Sequence, residues 1–127
     1  MIYRNEMHQF LFEEAIRSRD RHDNELMAAL YLLSSDRHLW QLVRLYIVRN
    51  DIRFDQITLP EMTMDHYTIY RTAMDLYSYT DDGVYLSIRD LSDTALMSNI
   101  IYSLIANAVA IRRFGLSALR MVGGVIR

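Results

Sequence analysis

Two pairs of side chains in this sequence have types and spacings that could support chemistry. Asp90 and Asp93 lie three residues apart, so on a helix their carboxylates would be one turn apart and could share a metal ion or a proton. Asp65 stands directly before His66. These pairs define one hypothesis for the chain, a small helical metal-dependent hydrolase. Helix capping is the alternative interpretation, because acidic side chains are favoured in the first turn of a helix.

The rest of the sequence offers little further support for catalysis. The other histidines, His8, His22 and His38, are not at ligand spacing with one another or with His66, and the chain has no HExxH, GxSxG, glycine-rich phosphate loop or EF-hand pattern. The lack of cysteine excludes disulfides, thiolate metal sites and cysteine nucleophiles. The sequence therefore favours a non-enzymatic protein and predicts no metal and no other cofactor.

A second hypothesis is a nucleic-acid-binding regulator. Arg37, Gln41 and Arg44 recur at intervals of four and three, so they would share the outward face of a helix, with His38 beside them. A short polar turn would join this helix to the preceding one, as in helix-turn-helix proteins. Few basic side chains accompany them, however, and aspartates lie nearby, whereas nucleic-acid binders depend on phosphate neutralisation. Nucleic acid is therefore an alternative partner and not the favoured one.

Charge is distributed unevenly along the chain. Residues 1–93 hold all sixteen acids and ten of the fourteen arginines, a net charge of −6, whereas residues 94–127 hold four arginines and no acid, a net charge of +4. Residues 116–127 thus form a basic apolar tail, which we expect to dock on its own domain or to form a homodimer contact. The predicted partner-binding residues lie at the start of this tail and just before it: Arg112, Arg113, Leu116, Leu119 and Arg120.

The longest uncharged stretch, residues 94–111, predicts a central helix. It lies between caps at Asp90 or Ser92 and a left-handed stop at Gly115. A helix that is apolar nearly all round is buried, so we expect a central buried helix over about residues 91–113. A polar row on it, Asn99, Ser103 and Asn107, indicates either a close helix crossing, a hydrogen-bonded track or a ligand-facing groove.

The remaining elements are predicted from capping residues and apolar periodicity. The predicted fold is all-α, a compact bundle of about five helices in a single domain of residues 1–127. The other helices are predicted after Asn5, after Asp23 or Asn24, over about Asp36–Arg49, and over about Met64–Tyr79. At most one minimal two-stranded element is expected, between residues 52–54 and 84–88, with a turn at residues 81–83.

Three further observations concern location. The central helix reaches the lower end of the length that a membrane span requires, but its asparagines and serines make it a poor one. No apolar run follows residues 1–5 as it would in a signal peptide. The lack of cysteine is compatible with a reducing compartment. These features predict a cytoplasmic protein with no membrane partner.

Four runs of the sequence resemble a known family. They are ELMAALYLLSSDRHLWQLVRLYI at 25–47, AMDLY at 73–77, DLSD at 90–93 and ANAVAIRRFG at 106–115. They are similar, over roughly residues 7–115, to small uncharacterised proteins carried by phages and conjugative elements of gut Firmicutes. The resemblance supplies no catalytic residues and implies an accessory protein of a mobile element. Such proteins often bind and block host machinery, including CRISPR and other defence effectors. The favoured hypothesis is therefore a small protein-interaction module, expected to form a homodimer, that binds and inhibits a host or element-encoded protein.

Overall fold

The computed structural model describes residues 2–78, 83 and 85–119. Its α-helices are α1 (Glu6–Ile16), α2 (Asn24–Leu33), α3 (Arg37–Val43), α4 (Met64–Tyr77), α5 (Ile88–Leu91) and α6 (Asn99–Phe114). Two short strands, β1 (Ile47–Val48) and β2 (Asp51–Ile52), pair antiparallel with Ile47 opposite Ile52. The prediction of an all-α fold with a minimal two-stranded element is confirmed.

Side-chain caps explain where the first four helices begin. Asn5, Asp23, Asp36 and Thr63 each accept a hydrogen bond from the backbone amide three residues later, and they start α1, α2, α3 and α4 respectively. Such a bond satisfies an amide that has no partner within the helix. All four starts agree with those predicted from the sequence.

The most deeply buried helix is α2, not the helix predicted over residues 91–113. Every residue from Leu26 to Leu33 is buried, and α2 packs chiefly against α4 and α6. By contrast, α6 leaves Ile100, Tyr102 and Val109 about half exposed. An uncharged run therefore did not mean burial all round, because apolar atoms also make up much of a protein's surface. None of the described helices is long and apolar enough to cross a membrane.

The predicted start of the helix over residues 91–113 was also wrong. Ser98 caps α6, and its hydroxyl accepts a hydrogen bond from the amide of Ile101 at 3.2 Å. Asp90 lies in the separate one-turn helix α5, which ends before Ser92. A capping box forms there, in which Ser87 and Asp90 each accept a hydrogen bond from the other's backbone amide. The DLSD run thus caps and ends a short helix of its own.

A glycine ends α6, as predicted. Gly115 has a φ of +81° and a ψ of −171°, which is an extended conformation open essentially only to glycine and not the predicted left-handed helical turn. A Cβ atom at this position would lie 3.1 Å from Asn24 Oδ1. The side chain of Ala118 is buried, which shows that the chain turns back onto the core after Gly115.

The third helix is shorter than the predicted span Asp36–Arg49. α3 ends at Val43 and continues as a 3-10 turn over Arg44–Tyr46 before β1 begins. Arg49 adopts a positive φ of 56° between the two strands. The β-branched residues of β1 favour an extended backbone over a continued helix.

The strand partner of Ile52 also differs from the predicted one. β2 pairs with β1, whereas Ile88 from the predicted second strand belongs to α5. The Tyr77 hydroxyl of α4 accepts a hydrogen bond from the Ile52 amide at 3.1 Å and so ties the hairpin to that helix. The predicted turn at residues 81–83, apart from Gly83, and the tail from residue 120 onward lie outside the described residues.

The polar row of α6 crosses α2 at one buried position. Asn107 Nδ2 donates to the Tyr31 hydroxyl at 3.0 Å, and that hydroxyl donates to the backbone carbonyl of Ile2. Asn99 is exposed and Ser103 is half-buried, so Asn107 alone of the three is buried. The row therefore serves as a helix crossing with a hydrogen bond between α2 and α6.

Candidate functional site

A groove between α1 and α3 contains the residues that sequence analysis assigned to a nucleic-acid surface. It has a volume of about 250 Å³ and is lined by Met7, Leu11, Arg37, Trp40, Gln41 and Arg44. We call it the α1–α3 groove. It combines three apolar or aromatic side chains with two arginines and one amide, a composition that the separate helices did not reveal.

α1 presents Met7 and Leu11 to the groove because its other side is fixed in the core. His8, Phe12 and Ala15 are buried. Met7 and Leu11 are one turn apart beside this buried stripe, and Met7 is 43% exposed while Leu11 is half-buried. The burial of one side of α1 thus sets the position of one wall of the groove.

His8 anchors α1 to α2 through an uncharged imidazole. Its Nε2 lies 2.8 Å from the Tyr31 carbonyl oxygen, and its Nδ1 accepts from the Arg4 amide at 2.9 Å. Because Nδ1 accepts, Nε2 carries the proton and donates. Burial lowers the pKa of His8 to about 4, although the hydrogen bond to Tyr31 acts in the opposite direction. At neutral pH the anchor therefore carries no charge.

α3 forms the opposite wall. Leu39 and Val43 are buried, whereas Arg37, Gln41 and Arg44 are exposed on the other side. The three polar residues share a face, as their spacing predicted. The helix has only seven residues, however, and Arg44 belongs to the 3-10 turn that follows it. The arginine face is therefore shorter than the recognition helix that the sequence suggested.

The two arginines of the groove have no anionic partner within the described part of the chain. Other arginines nearby do have one: Arg4 lies 3.8 Å from Asp36, and Arg17 lies 3.4 Å from Glu14. An exposed guanidinium presents planar donors that match a carboxylate or a phosphate. Arg37 and Arg44 are therefore available to an anionic group of a ligand.

The segments that form the groove also carry exposed apolar side chains. Phe10 of α1 is 59% exposed, and Leu45 in the turn after α3 is 76% exposed. Apolar groups clustered on a surface mark interaction sites more often than isolated ones do. The sequence did not predict this surface. The available signal was the width of the apolar stripe of α1, which exceeds what one buried face requires.

An Asp–His pair that the sequence did not indicate joins α3 to α4. His66 Nε2 lies 2.9 Å from Asp36 Oδ2, and Asp36 Oδ1 accepts the Leu39 amide at 3.0 Å as the cap of α3. The two residues are far apart in the sequence, so no local spacing could have revealed them. The pair holds the starts of two helices together and thereby fixes the direction of α3.

Neither predicted pair forms a shared site: Asp90 and Asp93 line different cavities, and the imidazole of His66 pairs with Asp36. Asp65 and Asp90 line a small pocket of about 180 Å³, whereas Asp93 lines a different groove. The carboxylates of Asp90 and Asp93 each accept a hydrogen bond from a nearby backbone amide. No three histidine, aspartate or glutamate side chains of the described residues are placed to hold a metal ion. The geometry gives Asp90 a capping role in α5, whereas Asp93 accepts the Ala95 amide in the turn that follows α5.

The predicted partner-binding arginines at the end of α6 have different surroundings. Arg112 Nε donates to the Leu76 carbonyl at 2.8 Å, and its guanidinium lies 3.6 Å from Glu25. Arg113 is exposed, with its guanidinium 5.3 Å from the ring centre of Phe114. Arg112 thus ties α6 to α4 and α2, while Arg113 points outward.

The predicted partner-binding leucines lie against their own domain. Leu116 and Leu119 are half-buried and pack on the core, and Ala118 between them is buried. Arg120 lies outside the described residues. The start of the tail therefore has the docked position that was one of the two expectations, and it offers little apolar surface to a partner.

Comparisons of the chain with protein-family models, with curated proteins and with solved structures gave no match. The interpretation of the α1–α3 groove therefore depends on its own geometry.

Proposed function

We propose that this protein is a non-enzymatic protein-interaction module that holds an acidic, apolar segment of a partner protein in the α1–α3 groove. The observation that supports the proposal most directly is an apolar groove lined by two arginines without ion pairs among the described residues. An amphipathic helix laid into such a groove buries its apolar side chains, while its carboxylates pair with the arginines.

The spacing of the two arginines defines the partner more closely. Arg37 and Arg44 are seven residues apart, which corresponds to roughly 10 Å along the axis of a helix. Two acidic side chains at positions i and i+7 of the partner helix would match this distance. Trp40 lies between them in the sequence and lines the groove. Tryptophan and arginine are the residue types that most often dominate binding energy at interfaces.

Nucleic-acid binding is the alternative that the shared face of Arg37, Gln41 and Arg44 still supports. Its affinity would come mainly from phosphate neutralisation, to which the groove contributes two arginines. The remaining lining includes Met7 and Leu11, which have no favourable partner on a phosphate backbone. A protein segment satisfies both the apolar and the charged part of the groove, and it is the better fit.

The resemblance of the sequence to proteins of mobile elements suggests which partners to consider. A host or element-encoded protein is then the expected target, and a defence effector is one class of such proteins. Blocking a functional segment of that target would make this protein an inhibitor.

The proposal is tested by selecting peptides from a random display library on the wild-type protein and on the Arg37→Glu/Arg44→Glu variant. The wild type should enrich peptides with apolar residues and two acids seven positions apart, and the variant should not. Arg21→Glu/Arg89→Glu is the matched control, because it makes the same charge change at two exposed arginines outside the groove.

Trp40 gives an independent readout because it is the only tryptophan of the chain. Titration with a selected peptide should change its fluorescence, and the groove variant should bind at least about tenfold more weakly. Peptides without an acidic excess, or equal selection by the groove variant and the control variant, would contradict the proposal. Binding to duplex DNA with a steep salt dependence would favour the nucleic-acid alternative.

A further inference from the structure

The outward side of α6 forms a second exposed surface, which shares no residue with the α1–α3 groove. Tyr102, Ala106, Val109 and Arg113 follow one another at intervals of four, three and four, the spacing of a seam along which two helices pair. All four are exposed, Tyr102 by 48% and Val109 by 47%. We call these four residues the α6 face.

The middle of the α6 face is suited to a close helix crossing. Ala106 lies midway along α6, and the small residues Ser103 and Ala110 lie half-buried beside it. The distance between two packed helices depends on the size of the side chains at their contact. A second helix could therefore approach α6 most closely at Ala106.

The ends of α6 carry opposite charges. Asp93 is exposed before the start of the helix, Arg113 is exposed in its last turn, and residues 94–111 between them are uncharged. Arg112 is already paired with Glu25. The exposed charge at the basic end of the α6 face is therefore that of Arg113.

A groove at the acidic end could receive an arginine. This groove between α5 and α6 has a volume of about 440 Å³, and its lining includes Ile88, Leu91, Asp93, Asn99 and Tyr102. Ile88 is 86% exposed. An arginine side chain combines an apolar stem with a charged head, so it can contact the apolar lining and pair with the carboxylate at once. Arg89, the cation of α5, is not part of this lining.

We propose that the α6 face binds a second copy of this chain in an antiparallel homodimer. A twofold axis through Ala106 places Arg113 of each copy opposite Asn99 of the other, since position 106 is midway between 99 and 113. Asn99 lines the same groove as Asp93, so Arg113 of the second copy reaches this carboxylate. The contact forms twice, because a twofold interface uses the same residues on both copies.

The distribution of charge selects the antiparallel arrangement. In a parallel pair, Arg113 would lie opposite Arg113 of the second copy, and Asp93 would lie opposite Asp93 of the second copy. Both contacts would be repulsive. In the antiparallel pair, opposite charges meet at both ends, and the helix dipoles are also opposed in direction. The α6 face is thus complementary to itself in one orientation only.

Sedimentation of the full chain over a range of micromolar concentrations tests the proposal. The wild type should be a dimer, and Ala106→Glu should be a monomer with an unchanged circular dichroism spectrum, because the substitution brings two carboxylates together on the axis. Gln56→Glu is the control, since it changes the charge by the same amount at an exposed residue outside both α6 and the α1–α3 groove. A monomeric wild type, or a dimer that Ala106→Glu leaves intact, would overturn the proposal.

A charge exchange tests the orientation. Arg113→Asp should weaken the dimer by more than about tenfold, because it breaks two symmetry-related pairs. The double variant Arg113→Asp/Asp93→Arg should restore most of the loss. Asp93 also accepts the Ala95 amide, so a thermal melt of Asp93→Arg alone is needed to check that this variant is folded. A folded double variant that dimerises no better than Arg113→Asp would overturn the predicted pairing.

Cross-linking tests the position of the axis without a change of charge. The chain has no cysteine, so Ala106→Cys introduces a single thiol that can form a disulfide only between two copies. A disulfide requires Cα atoms within about 7 Å, which the axis at Ala106 permits. Oxidation should yield a covalent dimer of Ala106→Cys and none of Leu45→Cys. Cross-linking of Leu45→Cys alone would place the contact elsewhere and overturn the proposal.

Discussion

The Tyr31 hydroxyl accepts a hydrogen bond from Asn107 Nδ2 at 3.0 Å and donates its own proton to the carbonyl of Ile2. One buried group thus joins α2, α6 and the segment before α1. Burial raises the pKa of Tyr31 to about 12, although the bond from Asn107 acts in the opposite direction. The hydroxyl therefore remains protonated and can donate across the physiological pH range.

Tyr31→Phe should lower the free energy of unfolding by about 1–3 kcal/mol, because it removes the hydroxyl from both of these buried hydrogen bonds. Urea unfolding measures the change. Tyr67→Phe is the control, since its side chain is 36% exposed, and it should change the free energy by less than about 0.5 kcal/mol. Equal costs for the two variants would mean that the buried hydroxyl contributes nothing to stability.

His8 should make the protein less stable in mild acid. Burial lowers its pKa to about 4 from an ordinary value of 6.5, so between these pH values the unfolded chain binds a proton that the folded chain does not. The stabilisation is fully present above pH 6.5 and is lost as the pH falls toward 4. Within this range the free energy of unfolding can fall by up to about 1.4 kcal/mol for each pH unit, because one proton is involved.

Urea unfolding at about pH 7 and about pH 5 measures this dependence. His8→Gln should reduce the difference in unfolding free energy between the two pH values, because glutamine does not titrate. His22→Gln is the matched control, because it makes the same substitution at an exposed histidine. The assignment to His8 fails if the two variants show the same pH dependence as each other.

The sequence predicted the starts of α1, α2 and α3 correctly because a cap is a local feature. Asn5, Asp23 and Asp36 each act on an amide only three residues away, so spacing alone identifies them. Burial is different, because it depends on which helices pack together. The uncharged residues 94–111 have both a buried and an exposed side, and only the packing of α6 on α2 distinguishes them.

The α1–α3 groove also depends on which helices pack together, so the sequence could predict only part of it. The shared face of Arg37, Gln41 and Arg44 follows from helical spacing, so the sequence predicted it. Met7 and Leu11 come from another helix, and nothing in the sequence indicated that α1 would lie beside α3. The nature of the surface changed as a result, since a face that looked basic proved to be an apolar groove with arginines in its lining.

Removing the cap of α6 tests where that helix begins. Ser98→Ala should lower the free energy of unfolding by about 0.5–2 kcal/mol, because the hydroxyl of Ser98 accepts the Ile101 amide. Ser92→Ala removes a cap that the sequence predicted, but the Ser92 hydroxyl only donates to the Arg89 carbonyl at an exposed site. Thermal or urea unfolding should show a clearly smaller loss for Ser92→Ala. The reverse order would support the helix start originally predicted.

Truncating two leucines distinguishes the true centre of the fold from the predicted one. Leu30 of α2 is fully buried, whereas Leu96, in the stretch predicted as the central helix, is 52% exposed. Leu30→Ala should lower the free energy of unfolding by about 2–5 kcal/mol, because it leaves a cavity among close-packed neighbours. Leu96→Ala removes the same atoms from a partly hydrated site and should cost less than about 1 kcal/mol. Urea unfolding of both variants checks the difference, and comparable losses would show that residues 94–98 contribute to the core as strongly as α2 does.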